Sequence, residues 1–216
     1  MDDDHRIPLK SDWRNDRRLA VFDNKSLARV QFVMDFWERE GYEAVSLPWM
    51  APEQAMAHTR PDNALKPEPA THEGALVSSA EQSFLWLDSE QLLPFSHKGY
   101  IGWTPCFRHE EKYDEAHHHY FMKAELFIPV LPDEARQKMR YIMNKTALCW
   151  RALAISEGRR DLMLETVMTS KDSADLLLGG VELGSYGVRK RMIPGDEYYI
   201  YATAIAEPRW SHVWPK

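Results

Sequence analysis

Two neighbouring segments of the chain carry cations, carboxylates and an aromatic ring at spacings that suit phosphate chemistry. Residues 106–110 and 119–125 both have the pattern of extended strands, in which alternate side chains share a face. The side chains that share a face are Arg108 and Glu110 in the first segment, and Phe121, Lys123 and Glu125 in the second. An arginine can hold a phosphate, and a phenylalanine ring can stack on a base. The pattern therefore predicts a nucleoside triphosphate site on a sheet surface.

A second group of candidate residues lies near the C-terminal end. Glu182 and Ser185 carry hard oxygen ligands three residues apart, which suits a magnesium ion that bridges phosphates. Arg189 follows on the same segment. The stretch 202–209 then places alanines at alternate positions before Arg209, and small side chains let a backbone approach a ligand closely. An alanine-rich strand leading into a helix is the structural alternative for this stretch.

Three other motifs have weaker chemical meaning. Glu81, in the segment Ser78-Ser79-Ala80-Glu81-Gln82, is an acceptor for a cation, but a helix-capping role for this segment is about equally compatible with the pattern. The histidines at 117–119 alternate between faces on an extended strand and make a poor shared metal cage. Cys106 is interpreted as a semi-buried strand thiol, since no Cys-His-Asn pattern supports a nucleophile.

An amphipathic helix is predicted from Asn24 to Glu40, followed by a strand from Tyr42 to Pro48. Ser26 is a possible cap and Gly41 a plausible end of the helix. The apolar residues at helical spacing are Leu27, Val30, Val33 or Met34, and Trp37. Residues 1–23 are expected to be an N-terminal extension, and 24–216 a single catalytic domain.

The rest of the chain predicts six strands and a second long helix. The helix is expected from Glu134 to Glu157, and the proline-rich stretch from Ala57 to Gly74 is expected to be a mobile loop. The strands are expected at Ser83–Leu87, Tyr100–His109, His119–Val130, Leu162–Thr169, Gly180–Arg191 and Glu197–Thr203. Runs of strands with two long helices predict an α+β fold with a mainly antiparallel sheet flanked by helices.

The bulk composition excludes several classes of protein. A net charge of −6 argues against a protein that mainly coats nucleic acid. Two distant cysteines predict neither a disulfide framework nor a zinc knuckle, and they favour a reducing, cytoplasmic setting. The acidic start does not have the pattern of a secretory signal, and no apolar run is long enough to span a bilayer. No P-loop, Rossmann or hydrolase-elbow motif occurs.

Taken in order along the chain, these segments resemble the three motifs of the class II aminoacyl-tRNA synthetases. The helix and strand up to Pro48 are similar to motif 1, residues 106–125 to motif 2, and residues 202–209 to motif 3. Alanines stand in the third motif where the family usually has glycines. The arrangement of Glu182, Ser185 and Arg189 resembles that of aspartyl- and asparaginyl-tRNA synthetases and of ammonia-dependent asparagine synthetase.

The resemblance implies adenylation of an amino acid with ATP and Mg²⁺, in a homodimer formed through motif 1. It assigns a role to each candidate residue. The implied roles are Arg108 for the α-phosphate and the attacking carboxylate, Glu110 for adenine, Phe121 for stacking on the base, Arg209 for its other side and the γ-phosphate, His119 for the region of the γ-phosphate, Glu81 for the substrate ammonium, Arg189 for the substrate side chain, and Glu125, Glu182 and Ser185 for the metal or its waters.

The acceptor of the activated group stays open at this stage. Nothing before residue 24 is large enough for the separate anticodon-binding domain of this branch, which favours a small acceptor such as ammonia. Aminoacylation of a tRNA, a carrier protein or another macromolecule is the enzymatic alternative. A catalytically inactive paralogue with a regulatory role is the non-enzymatic one, although Arg108, Glu125, Glu182 and Arg209 are all present.

Overall fold

A seven-stranded, almost entirely antiparallel sheet forms the centre of the molecule. The computed structural model describes residues 22–60, 70–71, 74–108, 117–195 and 197–214. The strand order in the sheet is β1-β5-β6-β10-β9-β8-β7, and only the short β1 runs parallel to its neighbour. These strands are β1 (Glu43–Ala44), β5 (Tyr100–Phe107), β6 (Tyr120–Val130), β7 (Leu164–Ser170), β8 (Ser173–Leu178), β9 (Val181–Lys190) and β10 (Tyr198–Glu207). The predicted α+β class is confirmed.

Two long helices cover one face of this sheet. Helices α1 (Asn24–Arg39) and α4 (Pro132–Ser156) pack against each other and against β10. Their buried side chains share one hydrophobic core with Ala124, Leu126, Ala202 and Ala204 of the sheet. The Trp150 indole of α4 also donates to the Ala204 carbonyl at 2.6 Å. Since side chains alternate along a strand, the residues between these alanines point to the opposite face.

The first helix begins where the sequence predicts, but its cap and part of its apolar face differ. Asp23, rather than Ser26, is the N-cap, and its carboxylate accepts from the Ser26 N–H at 2.8 Å. Val30, Val33 and Trp37 are buried as expected, whereas Leu27 is 49% exposed. The residues that face the core thus begin about one turn later than the sequence pattern indicates.

The segment predicted as a strand at Ser83–Leu87 is part of a helix. Helix α3 (Ala80–Ser89) begins at the cap residue Ser79, and Phe84 and Leu85 are fully buried. A short apolar run does not distinguish a buried strand from a buried helix, and here the Ser79 cap decides. The Phe84 ring stacks on Phe127 at 5.6 Å and holds α3 against the other face of the sheet.

Several smaller elements depart from the predicted pattern. A helix α2 (Glu53–Thr59) and a three-stranded sheet, in the order β2-β4-β3, occupy part of the proline-rich region and its surroundings. The strands of this sheet are β2 (Met50–Ala51), β3 (Ala70–Thr71) and β4 (Gly74–Leu76). Of the expected loop, residues 61–69 and 72–73 lie outside the described residues. The strand predicted from Tyr42 to Pro48 is reduced to β1.

The strand β8 was missed, and a tight turn explains its place in the sheet. Gly179 and Gly180 have φ angles of 59° and 81°, which suit the two-residue turn of a hairpin and strain other residues. The chain therefore reverses from β8 directly into β9, and this turn brings Asp175 opposite Ser185. Among the described helices, none is long and apolar enough to cross a membrane.

Candidate functional site

A row of polar side chains crosses four adjacent strands on the face of the sheet that α1 and α4 leave uncovered. Thr203 of β10 is paired with Glu125 of β6, and Asp175 of β8 with Ser185 of β9. The Ser185 N–H donates to the Thr203 hydroxyl at 3.2 Å, which joins the two halves of the row. Two of these residues, Glu125 and Ser185, are predicted site residues, and the sheet brings them onto one surface.

Arg108 and Phe121 lie together at one end of this surface. The Arg108 guanidinium carbon is 5.0 Å from the centre of the Phe121 ring, within the range of a cation–π contact. Its Nε donates to the Ser78 carbonyl at 3.0 Å, and its backbone N–H donates to the His119 carbonyl at 2.9 Å. Three of the residues predicted to contact ATP are therefore neighbours. Glu110, a fourth, lies outside the described residues.

Glu81 and Arg189, the two predicted substrate-binding residues, contact each other. Arg189 Nη1 donates to both Glu81 carboxylate oxygens, at 2.6 and 2.7 Å. The Tyr199 hydroxyl donates to Glu81 Oε1 at 2.7 Å, and the Arg189 guanidinium lies 4.3 Å from the Tyr201 ring centre. The resemblance implies a separate ligand group for each of these two residues, but the fold joins them into one half-buried ion pair.

The electrostatics of this pair favour a fixed, charged arrangement. Burial acts to lower the pKa of Arg189, but the Glu81 carboxylate outweighs it and the pKa is raised. Burial, followed by the charge of Glu81, raises the pKa of Tyr199 well above its ordinary value. Tyr199 therefore stays a neutral donor to Glu81, and the guanidinium stays a cation, across the physiological pH range.

Glu125, which was predicted as a metal ligand, is buried beside the first turn of α3. Its carboxylate accepts a hydrogen bond from the Ser79 hydroxyl, accepts from the Glu81 N–H at 3.1 Å, and pairs with Lys123 Nζ at 2.7 Å. Burial acts to raise the pKa of Glu125, but Lys123 and the hydrogen bonds leave it lowered. A carboxylate at the N-terminus of a helix is favourable, so Glu125 anchors α3 and with it Glu81. These contacts show how Glu125 supports the fold, and its place at a metal stays a prediction.

Glu182 and Arg209 form the other end of the surface. Arg209 Nη1 contacts Glu182 Oε1 at 3.1 Å, and Arg209 belongs to the short helix α5 (Arg209–His212). Burial, followed by the charge of Glu182, raises the pKa of Asp175, with Ser185 and Arg209 opposing this. Acidic oxygens and a hydroxyl thus lie near a cation, in a place where phosphates could bind.

The fit of this surface to a divalent cation is partial. Within the described residues, no group of three or more histidine, cysteine, aspartate or glutamate side chains could hold a metal ion. Mg²⁺ usually binds through one or two carboxylates together with substrate phosphates and water. Glu182 could supply a carboxylate oxygen to such a site, and Ser185 a hydroxyl oxygen. The Glu125 carboxylate already contacts Lys123, Ser79 and the start of α3, which it would have to keep while binding a metal.

The structure also bears on the predictions made for the histidines at 117–119 and for Cys106. His119 lies beside Arg108 through its carbonyl, but it is His118 that is buried, with its ring centre 6.0 Å from that of His212 in α5. Cys106 is fully buried, and burial raises its pKa to about 11, which agrees with a structural thiol.

The residues that sequence reasoning missed at this site are mostly on β10. Tyr199, Tyr201 and Thr203 alternate along that strand and all reach the site. Gly187 allows this, since a β-carbon there would lie 2.3 Å from the Tyr201 hydroxyl oxygen. The alternation of tyrosines and threonine with Ile200 and Ala202 was a signal for a polar face. Asp175 had no comparable signal, because its strand was not predicted.

Three solved structures similar to this chain are aminoacyl-tRNA synthetases. Seryl-tRNA synthetase from Pyrococcus horikoshii, complexed with ATP, has a TM-score of 0.62 at 19% identity, and the match covers 87% of this chain and 49% of that one. Cytoplasmic serine-tRNA ligase from Naegleria fowleri, in complex with AMP, has a TM-score of 0.65 at 17% identity, with 85% and 47% covered. The fold is that of a class II aminoacyl-tRNA synthetase catalytic domain.

A third similar structure and the sequence comparisons set the limits of this likeness. PylSc from Desulfitobacterium hafniense, a pyrrolysyl-tRNA synthetase, has a TM-score of 0.58 at 17% identity, with 87% of this chain and 66% of that chain covered. No protein-family model and no curated protein matches the sequence. The chain spans about half the length of the two serine enzymes. None of the three is an aspartyl or asparaginyl enzyme, so that narrower resemblance stays a prediction.

Proposed function

We propose that the protein activates an amino acid with ATP to form an aminoacyl-adenylate. A carboxylate oxygen of the amino acid attacks the α-phosphorus of ATP, the bond to the bridging oxygen breaks, and pyrophosphate leaves. Such chemistry depends on positioning and on neutralising charge, and it requires no side-chain nucleophile. The surface that carries Arg108, Phe121, Glu182 and Arg209 supplies groups suited to both tasks.

The observation that carries this proposal is the contact between Arg108 and Phe121, on the face of the sheet opposite to α1 and α4. Among the described residues it places a cation beside an aromatic platform, at the motif 2 position of a synthetase fold. In the proposed complex Arg108 holds the α-phosphate and the attacking carboxylate, while Phe121 stacks on adenine. Arg209 covers the γ-phosphate, and Mg²⁺, held by phosphates with Glu182 and Ser185, would neutralise their charge.

The ion pair of Glu81 and Arg189 bears on the choice of amino acid. An aspartate-like substrate remains the first candidate, because Arg189 Nη2 and Nε could donate to a side-chain carboxylate. The pair also favours a second candidate, since a neutralised guanidinium beside a carboxylate offers both a donor and an acceptor. Such a pair is complementary to a carboxamide, as in asparagine.

The variant Glu81→Gln separates these two candidates. It keeps an acceptor for Tyr199 but removes the charge that neutralises Arg189. We expect the ratio of kcat/KM for aspartate over asparagine to rise by about tenfold, because a cation favours a carboxylate over an amide. Arg189→Leu should lower the selectivity for an acidic amino acid more than it lowers the affinity for ATP. An unchanged ratio in Glu81→Gln, or an equal loss for every amino acid in Arg189→Leu, would remove Arg189 from substrate recognition.

The acceptor of the acyl group is proposed to be small, with ammonia as the first candidate. The enzymatic alternative is a tRNA, a carrier protein or another macromolecule. An inactive paralogue would bind ATP without turnover dependent on an amino acid. The protein is also proposed to act as a homodimer in the cytoplasm, with the exposed Trp49 and the part-buried Trp103 near the contact.

The experiment that tests the proposal is ATP–pyrophosphate exchange with Mg²⁺ and no RNA, against single amino acids that include aspartate, asparagine and glutamate. Exchange stimulated by one amino acid would support activation without a nucleic acid. Exchange that appears only with a tRNA would support the macromolecular acceptor. Tight ATP binding with no exchange under either condition would support the inactive paralogue.

A further inference from the structure

A cavity of about 470 Å³ opens between the start of α1 and the end of α4. These two helices cover the face of the sheet opposite to Glu125, Ser185 and Arg189, so the cavity is separate from the candidate site. Asp23, whose carboxylate caps α1, is not one of the lining residues. The lining residues are Lys25, Ala28, Arg29, Phe32, Leu153, Ser156, Glu157 and Arg159.

The floor of the cavity is a buried network centred on Arg29. Arg29 Nε donates to the Glu157 carboxylate, and Nη1 contacts Glu207 at 3.1 Å and the Ser211 hydroxyl at 2.5 Å. The Ser211 hydroxyl in turn donates to Glu207 at 2.6 Å. Arg29 is therefore held at Nε and Nη1, and its guanidinium is part of the scaffold of the cavity.

Arg159 at the side of the cavity is less well satisfied. Its Nε lies 3.7 Å from Glu157, beyond hydrogen-bond distance, and its guanidinium carbon stacks 4.4 Å from the Trp214 ring centre. Within the part of the chain that the structure describes, Arg159 Nη1 is buried and has no hydrogen-bond partner, and the same holds for Trp214 Nε1. Buried donors without acceptors are unfavourable, and a bound acceptor would relieve this.

The charges around the cavity leave a positive excess on a protein that is acidic as a whole. Lys25, Arg29 and Arg159 supply three positive charges, and Glu157 and Glu207 supply two negative ones. The net charge of the whole chain is −6. A local excess of the opposite sign, next to an unpaired donor, attracts an anion.

We propose that this cavity binds a small organic anion, with one carboxylate or phosphate group and an apolar body. The anionic group pairs with the part-exposed Arg159 guanidinium and with Lys25 Nζ, and the apolar body packs on Phe32, Ala28 and Leu153. Glu207, which contacts Arg29 in the cavity floor, lies two residues from Arg209, a candidate ATP contact. The site does not depend on the proposed adenylation.

The test is isothermal titration of the full chain with phenylphosphate and with benzoate, in the Arg108→Ala background. That background removes one of the cations that could bind the probes at the candidate ATP site, and the Arg159 and Lys25 variants assign the remaining binding. We expect saturable 1:1 binding of at least one probe, and weaker binding of inorganic phosphate, which lacks an apolar body. Arg159→Met should weaken binding at least tenfold, whereas Arg151→Met, at an exposed position of α4, should leave it unchanged.

Lys25→Glu provides a second variant in case Arg159→Met does not fold. It reverses a charge on the exposed first turn of α1 and should also weaken the binding at least tenfold. Absence of saturable binding of both organic probes would overturn the proposal. So would binding that is equal in the parent, Lys25→Glu and every folded Arg159 variant.

Discussion

At the scale of single residues, Arg108 carries most of the proposed chemistry. It is held by Phe121 on one side and by the Ser78 carbonyl on the other, so its guanidinium is positioned before any ligand binds. Positioning of this kind lowers the cost of stabilising charge in a transition state. The side chain contributes little to the hydrophobic core, so its function can be tested without loss of the fold.

We predict that Arg108→Ala lowers ATP–pyrophosphate exchange by at least about 10²- to 10³-fold, because the α-phosphate loses its cation. Circular dichroism and the midpoint of urea unfolding should stay close to the parent values. Arg151→Ala, which removes an exposed arginine of α4, is the matched control and should retain exchange. Exchange that persists in a folded Arg108→Ala variant would exclude Arg108 from the reaction.

Both thiols are predicted to be unreactive in the native protein. Burial raises the pKa of Cys106 to about 11 and that of Cys149 to about 12, so neither forms thiolate at pH 8. A thiol-reactive disulfide reagent should label neither cysteine in the native state and both in urea. Rapid labelling of one native thiol at pH 8 would show that it is exposed, and would reopen a nucleophilic role for it.

Alternation along strands made it possible to predict which residues share the site surface, but not which of them touch. Phe121, Lys123 and Glu125 do share a face, as the period of two requires. The pairing of Glu81 with Arg189, by contrast, joins residues 108 positions apart on a helix and a strand. Such a contact depends on strand order and on where α3 lies, and neither can be derived from local spacing.

At the scale of elements, a buried carboxylate anchors the first turn of α3, in addition to the packing of Phe84 on Phe127. Glu125 accepts from Ser79 and from the Glu81 N–H, and it pairs with Lys123. This anchors the first turn of the helix on β6 and fixes the position of Glu81. The apolar run at residues 83–87 predicts a strand as readily as a helix, because buried strands and buried helices share this pattern.

We predict that Glu125→Gln lowers the free energy of unfolding by about 2–3 kcal/mol at pH 7, because Lys123 loses its buried partner. The pKa of Glu125 is lowered in the folded state, so its contribution is present above the ordinary value of 4.5 and is lost as the pH falls below it. Urea unfolding at several pH values should therefore show that the difference in unfolding free energy between Glu125→Gln and the parent becomes smaller at acidic pH. Glu165→Gln, at an exposed position of β7, is the control. A difference in unfolding free energy that does not change with pH would contradict the conclusion that Glu125 is a buried, ionised carboxylate.

At the scale of the whole molecule, the surface around β1 has the character of an interface. Trp49 is 53% exposed, and its ring lies 6.3 Å from that of Trp103 beside a cavity of about 280 Å³. Exposed aromatic clusters of this kind often mark protein contacts. The location follows motif 1, which the resemblance assigns to a homodimer.

We predict a dimer of twice 25.2 kDa in sedimentation velocity, and a shift toward monomer in Trp49→Glu, because a charge would be buried in the contact. Phe95→Glu changes another exposed aromatic residue and should leave the dimer intact. A parent protein that stays monomeric at micromolar concentration would contradict the predicted assembly.

If the protein activates an amino acid as proposed, an aminoacyl-adenylate must form, and this product can be detected directly. The protein would be incubated with ATP labelled at the α-phosphate, Mg²⁺ and either aspartate or asparagine, and the labelled products would be separated. We expect a labelled aminoacyl-adenylate that approaches one per active site in the parent and is absent in Arg108→Ala. A parent protein that binds ATP but forms no adenylate with any amino acid, with or without an acceptor, would contradict the proposed activation.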